Sequence, residues 1–256
     1  MEDLQLFEKL KEGRETIGTI AELPRGMEFG SNSNMIISCP KAGFQKLLVG
    51  RDVKRYEISF AGRYVKYIHG QDSVFKDIRY YTSPKLFIQR IRNLSLHDRI
   101  VATYDDAGYF CTNTLRMLIL KETFKRKYPL KCVLGIINSK LINHIFLTLF
   151  LNKDIYSYQL EQIPVPIISE VDRHRLESLV DAVLKCKSSN KDSSALESEI
   201  DQLVYKLYGL TDEEIAVVEG RGESNLKSEE SKTVRASANR RNATVPETST
   251  DDEELE

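Results

Sequence analysis

Few residues in this chain are arranged to make or break covalent bonds. His69, His97, His144 and His174 are scattered along it. His97 and Asp98 are adjacent, but neighbours on one element point in different directions and no second ligand accompanies them. The pair therefore predicts neither a metal site nor a general base. Cys39, Cys111, Cys132 and Cys186 form no Cys-x-x-Cys pair, so neither a zinc site nor a redox motif is suggested. No Asp…Glu-x-Lys array marks a nuclease. The chemistry on offer is recognition of a polyanion. Residues 50–131 carry seventeen Lys and Arg against eight Asp and Glu, an excess of nine positive charges in a chain of formal net charge −1. Aromatic rings are interleaved, among them Tyr56, Phe60, Tyr64, Tyr67, Tyr80, Tyr81, Tyr109 and Phe110. Clustered cations release the counterions condensed on a phosphate backbone, and Arg adds planar, bidentate recognition of phosphates and guanine edges.

Within this region Arg51, Lys54, Arg55, Tyr56, Arg90, Arg92 and Asn113 are the candidate DNA-binding residues, each weighed against a plainer role. Single charges are usually solvated surface, but for Arg51, Lys54 and Arg55 the local excess and the motif resemblance described below together favour DNA contact. Arg90 and Arg92 share a strand face and can equally pair with Asp98, Asp105 or Asp106. Asn113 can read adenine bidentately, or hold a turn through its own backbone. Tyr56, with Tyr80, Tyr81 and Tyr109, can stack on an extruded base, although most aromatics in such strands belong to a core.

The elements that would position these residues follow from periodicity. Leu4 to Lys11 reads as a short helix and Ile17 to Ile20 as a strand. Tyr56–Phe60 and Arg63–Ile68 alternate with period two and are joined by Ala61-Gly62, which predicts a hairpin. Lys85–Arg92, Arg99–Tyr104, Tyr109–Thr112 and Leu115–Leu120 read as further strands. Apolar residues from Val133 to Phe150 recur at three- and four-residue spacing, which predicts one long buried helix. Ile163-Pro164-Val165-Pro166-Ile167 must be extended. Ser169 caps a helix to about Cys186, a second helix runs from Ala195 to Tyr208 before Gly209, and Thr211 with Glu214 has capping-box spacing. The order is an α+β pattern: a β-rich core, a central long helix and a C-terminal helical pair. An apolar fraction of 41% can fill a core without metal or disulfide.

Several of these segments resemble the TaqI-like specificity domains of adenine-specific DNA methyltransferases and type IIG restriction–modification proteins. They are Gly50-Arg51-Asp52-Val53-Lys54-Arg55-Tyr56, Pro84-Lys85-Leu86-Phe87-Ile88-Gln89-Arg90, Tyr109 with Thr112-Asn113-Thr114, Leu134-Gly135-Ile136-Ile137-Asn138-Ser139-Lys140-Leu141 and Gln162-Ile163-Pro164-Val165-Pro166. The close, Leu203 to Thr211, is similar to that of many restriction–modification proteins. The resemblance covers roughly residues 15–219 by motif order and spacing. It implies a target-recognition domain at 1–168 and a C-terminal helical segment at 169–219, before a disordered tail at 220–256. Its implied partners are double-stranded DNA and a methyltransferase or restriction subunit. It does not carry catalysis over: no Pro-Pro dipeptide exists, and Gly26-Met27-Glu28-Phe29-Gly30 lacks the strand–loop–helix frame of a nucleotide site. The chain alone is therefore read as non-catalytic, with no cofactor and no metal of its own. S-adenosylmethionine is expected on a partner or on a separate methyltransferase domain.

The expected function is DNA sequence recognition for an adenine methylation system; the alternatives are a protein-interaction subunit or an unrecognised nuclease. With no signal peptide and no membrane segment read, the expected location is cytoplasmic with reduced thiols. Residues 221–256 hold nine acids and six bases and almost no large apolar side chain, too little to offset the entropy of ordering. Removing them is predicted to leave the calorimetric unfolding midpoint nearly unaltered, whereas a drop of several degrees would show that the tail is docked.

Overall fold

The computed structural model describes residues 2–29, 35–71, 74–93 and 95–221, in two units, one ending at Leu210 and one beginning at Thr211. The Ser31–Asn34 cluster and the tail from residue 222 lie outside the described residues. The first unit opens with helix α1 (Glu2–Lys11), strand β1 (Glu15–Thr16), one helical turn α2 (Ile17–Ile20) and strand β2 (Ala21–Glu22). Strands β3 (Ile36–Ile37), β4 (Phe44–Leu48), β5 (Val53–Lys54), β6 (Glu57–Ile58) and β7 (Tyr64–Lys66) precede helix α3 (Arg79–Thr82). Then come β8 (Lys85–Gln89), β9 (Ala102–Asp105), β10 (Phe110–Cys111) and β11 (Leu115–Leu120). Helices α4 (Leu130–Ile137), α5 (Lys140–Leu149) and α6 (Ser157–Glu161), strand β12 (Pro164–Val165), and helices α7 (Glu170–Ser188) and α8 (Ser194–Tyr208) complete it. In the second unit, helix α9 (Asp212–Val218) starts with the predicted capping box. Thr211 Oγ1 accepts the Glu214 N–H (3.3 Å), and Glu214 accepts the Thr211 N–H (2.8 Å).

Two four-stranded sheets organise the first unit. One, β2-β11-β8-β9, is antiparallel throughout. The other, β10-β4-β7-β3, is antiparallel except for the parallel β10–β4 pair. Phe87, Leu115, Met117 and Ile119 of the first share one core with Leu47, Val65 and Phe110 of the second. Period-two alternation sends Leu86 and Ile88 to the opposite side of the first sheet, where α4 packs against β8 and β9. A sheet covered on both faces needs burial at every position, and all six residues of β11 are buried.

At the end of β8 and β9 sits a fully buried ion pair. Lys85 and Asp105 are register partners, with Nζ 2.6 Å from the carboxylate. Lys85 also donates to the Tyr81 carbonyl (2.5 Å), which closes α3 onto the strand. Asp105 accepts the N–H groups of Ala107 (3.0 Å) and Tyr109 (3.1 Å), which fixes the following turn. At Gly26 the chain passes so close that an added Cβ would lie 2.3 Å from the Thr112 carbonyl oxygen. Here the Met27 N–H donates to Cys111 (2.8 Å) and the Asn113 N–H to Met27 (2.7 Å). The glycine serves backbone packing rather than a nucleotide loop.

Three sequence expectations need correction. Ile17–Ile20 is a helical turn, not a strand. Tyr56–Phe60 and Arg63–Ile68 do not pair with each other: β6 pairs with β5, while β7 pairs with β4 and β3, because the latter pairings bury Val65 against the core. The long apolar helix is two, α4 and α5, bent by 52°. Ser139 caps α5 by accepting the Ile142 N–H (3.3 Å), while the Asn138 amide exchanges two hydrogen bonds with the backbone of Ala102 (2.9 and 3.0 Å). Among the described residues no single helix is long and apolar enough to cross a membrane; α4 and α5 together reach that length, with the bend between them. Of the helices in residues 169–219, α7 and α8 lie in the first unit and α9 in the second.

Removing one member of a buried ion pair strands the other, at a cost of about 3–5 kcal/mol. Lys85→Met is therefore expected to lower unfolding free energy in urea by roughly that amount. A loss below about 1 kcal/mol would mean that the pair does not hold the turn.

Candidate nucleic-acid interface

The seventeen cations of residues 50–131 are all described, and the fold uses most of them internally. Nine stand in ion pairs: Lys54, Arg55, Arg63, Arg79, Lys85, Arg90, Lys125, Lys127 and Lys131. Four more, Arg92, Arg99, Arg116 and Lys121, donate to backbone carbonyls. Their partners are mostly remote in sequence. Arg79 meets Glu22 (2.9 Å), Lys127 meets Glu15 (2.7 Å) and Lys131 meets Asp181 (2.6 Å). Hydrogen bonds from Arg79 and Tyr80 hold the Glu22 carboxyl below its ordinary range, and the bond to Asp181 raises the Lys131 ammonium. The charge excess read from the sequence is thus largely neutralised within the molecule. Arg51, Lys66, Lys76 and Arg126 are exposed, and among the described residues their side chains make no hydrogen bond or ion pair.

The candidate residues separate accordingly. Arg51 lies in the exposed turn before β5. Lys54 is exposed but 3.0 Å from Glu57. Arg55 turns inward, with Nε 2.6 Å from Glu197 on α8 and a further bond to the Asn138 carbonyl. Burial pushes the Glu197 carboxyl up, but hydrogen bonds from Arg55 and Ser193 outweigh it and leave the group below its ordinary value. Tyr56 is in the core, which removes it as a base-stacking surface, and its backbone has a left-handed φ of 59°. Arg90 pairs with Asp154 (3.3 Å), and Arg92 donates to the Asp98 carbonyl (2.6 Å) and to Gln89 (2.7 Å). Asn113 sits in a turn and bonds Glu28 (3.1 Å). These seven residues do not form one surface.

One surface combines residues inside the counted window with others that precede it. β4 alternates, and Phe44 faces Lys66 while Lys46 faces Tyr64 across the β4–β7 pair. Phe44, Lys46, Tyr64 and Lys66 therefore share the side of the sheet away from the core residues Leu47 and Val65. Lys46 lies over the rings of Phe60 (5.6 Å) and Tyr109 (5.5 Å), and Lys41 over Phe44 (5.8 Å). Phe60 packs edge-on to Tyr64 at 5.5 Å. Among the described residues no carboxylate pairs with Lys41, Lys46 or Lys66. Lys41 and Lys46 precede the window in which charge was counted, and only the sheet register reveals their common face with Lys66.

A cavity of about 440 Å³ lies where α8 meets the 97–98 loop and the start of α5. Its three cations, Arg55, Lys140 and Lys187, face four carboxylates, Asp98, Asp192, Glu197 and Asp201, so it does not attract an anion. Burial raises the Cys111 and Cys132 thiols, the latter to about 12, which keeps both protonated near neutrality. Among the described residues no group of three His, Cys, Asp or Glu side chains is placed to hold a metal ion.

Residues 45–165 match the family model of the TaqI-like C-terminal specificity domain. The chain is similar in structure to the type IIL restriction-modification enzyme MmeI in complex with DNA. That match has 14% identity and a TM-score of 0.58, over 83% of this chain and 36% of MmeI. It also resembles the type IIG restriction endonuclease BpuSI (12% identity, TM-score 0.49, 82% of this chain and 34% of that one). A third similar structure is the HsdS subunit from Thermoanaerobacter tengcongensis (11% identity, TM-score 0.44, 80% and 50%). The chain spans between a third and a half of the length of these proteins. No curated protein matches it by sequence.

Arg55→Ala should act on stability, with a loss of about 1–3 kcal/mol near neutral pH, because it removes one of the two cations on Glu197 and leaves Lys187, 3.0 Å away, as the other. The Glu197 carboxyl is depressed in the folded state, so the Arg55 contribution is present above the unfolded carboxyl range and fades as pH falls through the folded value. Urea titrations of both proteins should converge in acid. A constant gap across pH would show that the clasp is not ionic.

Proposed function

We propose that this chain, whose residues 45–165 belong to the TaqI-like C-terminal specificity domain family, is the DNA sequence-recognition module of a restriction–modification system. The observation that carries this reading is the family match, which takes in six of the eight strands of the two four-stranded sheets, leaving out β2 and β3, and continues to β12. The exposed side of β4 and β7 supports it. Lys41, Lys46 and Lys66 have no paired carboxylate among the described residues, and the ammonium groups of Lys41 and Lys46 lie over the rings of Phe44 and of Phe60 and Tyr109, at the surface where phosphates would approach. Phosphate contacts set register there, and neighbouring polar side chains specify bases.

Chemistry is supplied by a methyltransferase or restriction component, on another chain or elsewhere in a longer one, in the cytoplasm. Where that component methylates adenine, it uses S-adenosylmethionine and the target base must leave the stack. The recognition module holds the duplex while that distortion occurs.

The double variant Lys46→Ala, Lys66→Ala should weaken binding to all duplexes alike and reduce the slope of log affinity against log salt by about 0.9 for each phosphate that is no longer neutralised. Stability should stay within about 0.5 kcal/mol, since both side chains are exposed. An unchanged slope in the folded variant would remove this face from the interface.

A further inference from the structure

At one end the cation-bearing sheet opens into a cleft of about 510 Å³. Gln45, Tyr67, Thr82, Asp106, Gly108 and Phe110 line it. Its position follows from strand alternation. Gln45 is on the same side of β4 as Leu47, and Tyr67 continues the side of Val65, so both project toward the space between the two sheets. The core fills that space as far as Tyr81, stacked on Phe110 at 4.4 Å, and stops there. Gln45 and Asp106 are exposed, and among the described residues neither side chain makes a hydrogen bond or ion pair. A carboxylate and a carboxamide thus stand unengaged beside two aromatic rings, Tyr67 and Phe110, whose centroids are 5.9 Å apart.

Asp106 is not on a floppy loop. The preceding Asp105 is locked to Lys85 and accepts two N–H groups of the same turn, and Gly108 takes a φ of +73° that completes it. Tyr109, next along, packs on Phe60 and lies under Lys46. Lys46 is also the neighbour of Gln45 on β4. The cleft and the cationic face are therefore adjoining parts of one rigid edge.

The chemistry of this pair is selective. A carboxylate only accepts hydrogen bonds, whereas a carboxamide both donates and accepts. Adenine and cytosine present an exocyclic amine as a donor, and guanine and thymine present a carbonyl oxygen at the corresponding place in the major groove. We infer that Asp106, with Gln45, reads a target base bearing an exocyclic amine and rejects a base bearing a carbonyl there. Asp106 accepts the amine, Gln45 completes the polar edge, and the rings of Tyr67 and Phe110 bound the site. The inference rests on the proposed role in DNA recognition and assigns it a specificity-determining pair.

The experiment is selection of bound duplexes from a random pool at one fixed salt concentration, using the full chain, Asp106→Asn and Gln45→Ala. The wild-type pool should be enriched for A or C at one position. Asp106→Asn should admit G or T at that position, with discrimination falling on the order of tenfold, and Gln45→Ala should weaken the same position. Affinity for unrelated duplex, salt slope and thermal midpoint should not move, because neither side chain supports the fold. In the selected duplex, the base analogue lacking the exocyclic amine should cost the wild type a similar factor and cost Asp106→Asn nothing further. If both variants select the wild-type sequences, or lose preference evenly at all positions, the assignment is wrong while the recognition role stands. If the wild type selects no sequence, the recognition role falls and the assignment with it.

Discussion

The buried contact between Lys85 and Asp105 is the constraint on which the recognition edge depends. Two charges removed from water are tolerated only when each finds full compensation, and here the compensation is architectural. The ammonium draws in the end of α3 through the Tyr81 carbonyl, and the carboxylate gathers the N–H groups of Ala107 and Tyr109. One pair therefore sets the β8–β9 register, the approach of α3 and the shape of the 105–109 turn. Everything displayed there, Asp106 and Tyr109 included, takes its direction from it.

The motifs that identify the family turn out to be bonded to one another. Gly50 donates to the Thr114 hydroxyl (2.8 Å) and its carbonyl accepts from Gln89 (2.8 Å), which joins three of the segments. Asp52 holds Arg63 through both oxygens, at 2.8 and 3.1 Å. Arg55 reaches the Asn138 carbonyl, and the Tyr208 hydroxyl donates to Pro164 (2.6 Å), which links the last motif to the proline segment. The spacing of these residues makes the family legible because it is the spacing of the scaffold. The same fact explains why choosing interface residues from the motifs led to Arg55 and Tyr56, which the fold turns inward.

Element types read well where the physics is local. Ser169 and Gly209 mark helix ends that the structure reproduces, and β11, apolar except for Arg116, appears at its expected bounds. Reading failed where a distant partner decides. Nothing near residue 138 in sequence reveals that its amide is needed by the backbone of Ala102, yet that bond belongs to the break between α4 and α5. Charge counting failed for the same reason. Glu15, Glu22, Asp154, Asp181 and Glu197 lie outside the counted window and neutralise cations within it. The family resemblance survived that failure because it never depended on the charge excess.

The resulting division of labour has an energetic logic. Among the cations that hold the fold, Lys85, Arg63 and Arg55 face buried or nearly buried carboxylates, so changing one removes a compensated charge and costs several kcal/mol, whereas exposed pairs such as Lys125–Glu122 contribute little. Lys46, Lys66, Gln45 and Asp106 are exposed and not hydrogen-bonded, so changing one costs the fold about 0.5 kcal/mol or less. A surface proposed to read DNA is best kept free of structural duty, because a substitution there then leaves the fold intact. The sheet edge meets that condition: its backbone is held by strand pairing and by the turn behind it, while the side chains of Lys46, Lys66, Gln45 and Asp106 make no hydrogen bond or ion pair among the described residues. Recognition can then be altered residue by residue on an unchanged frame.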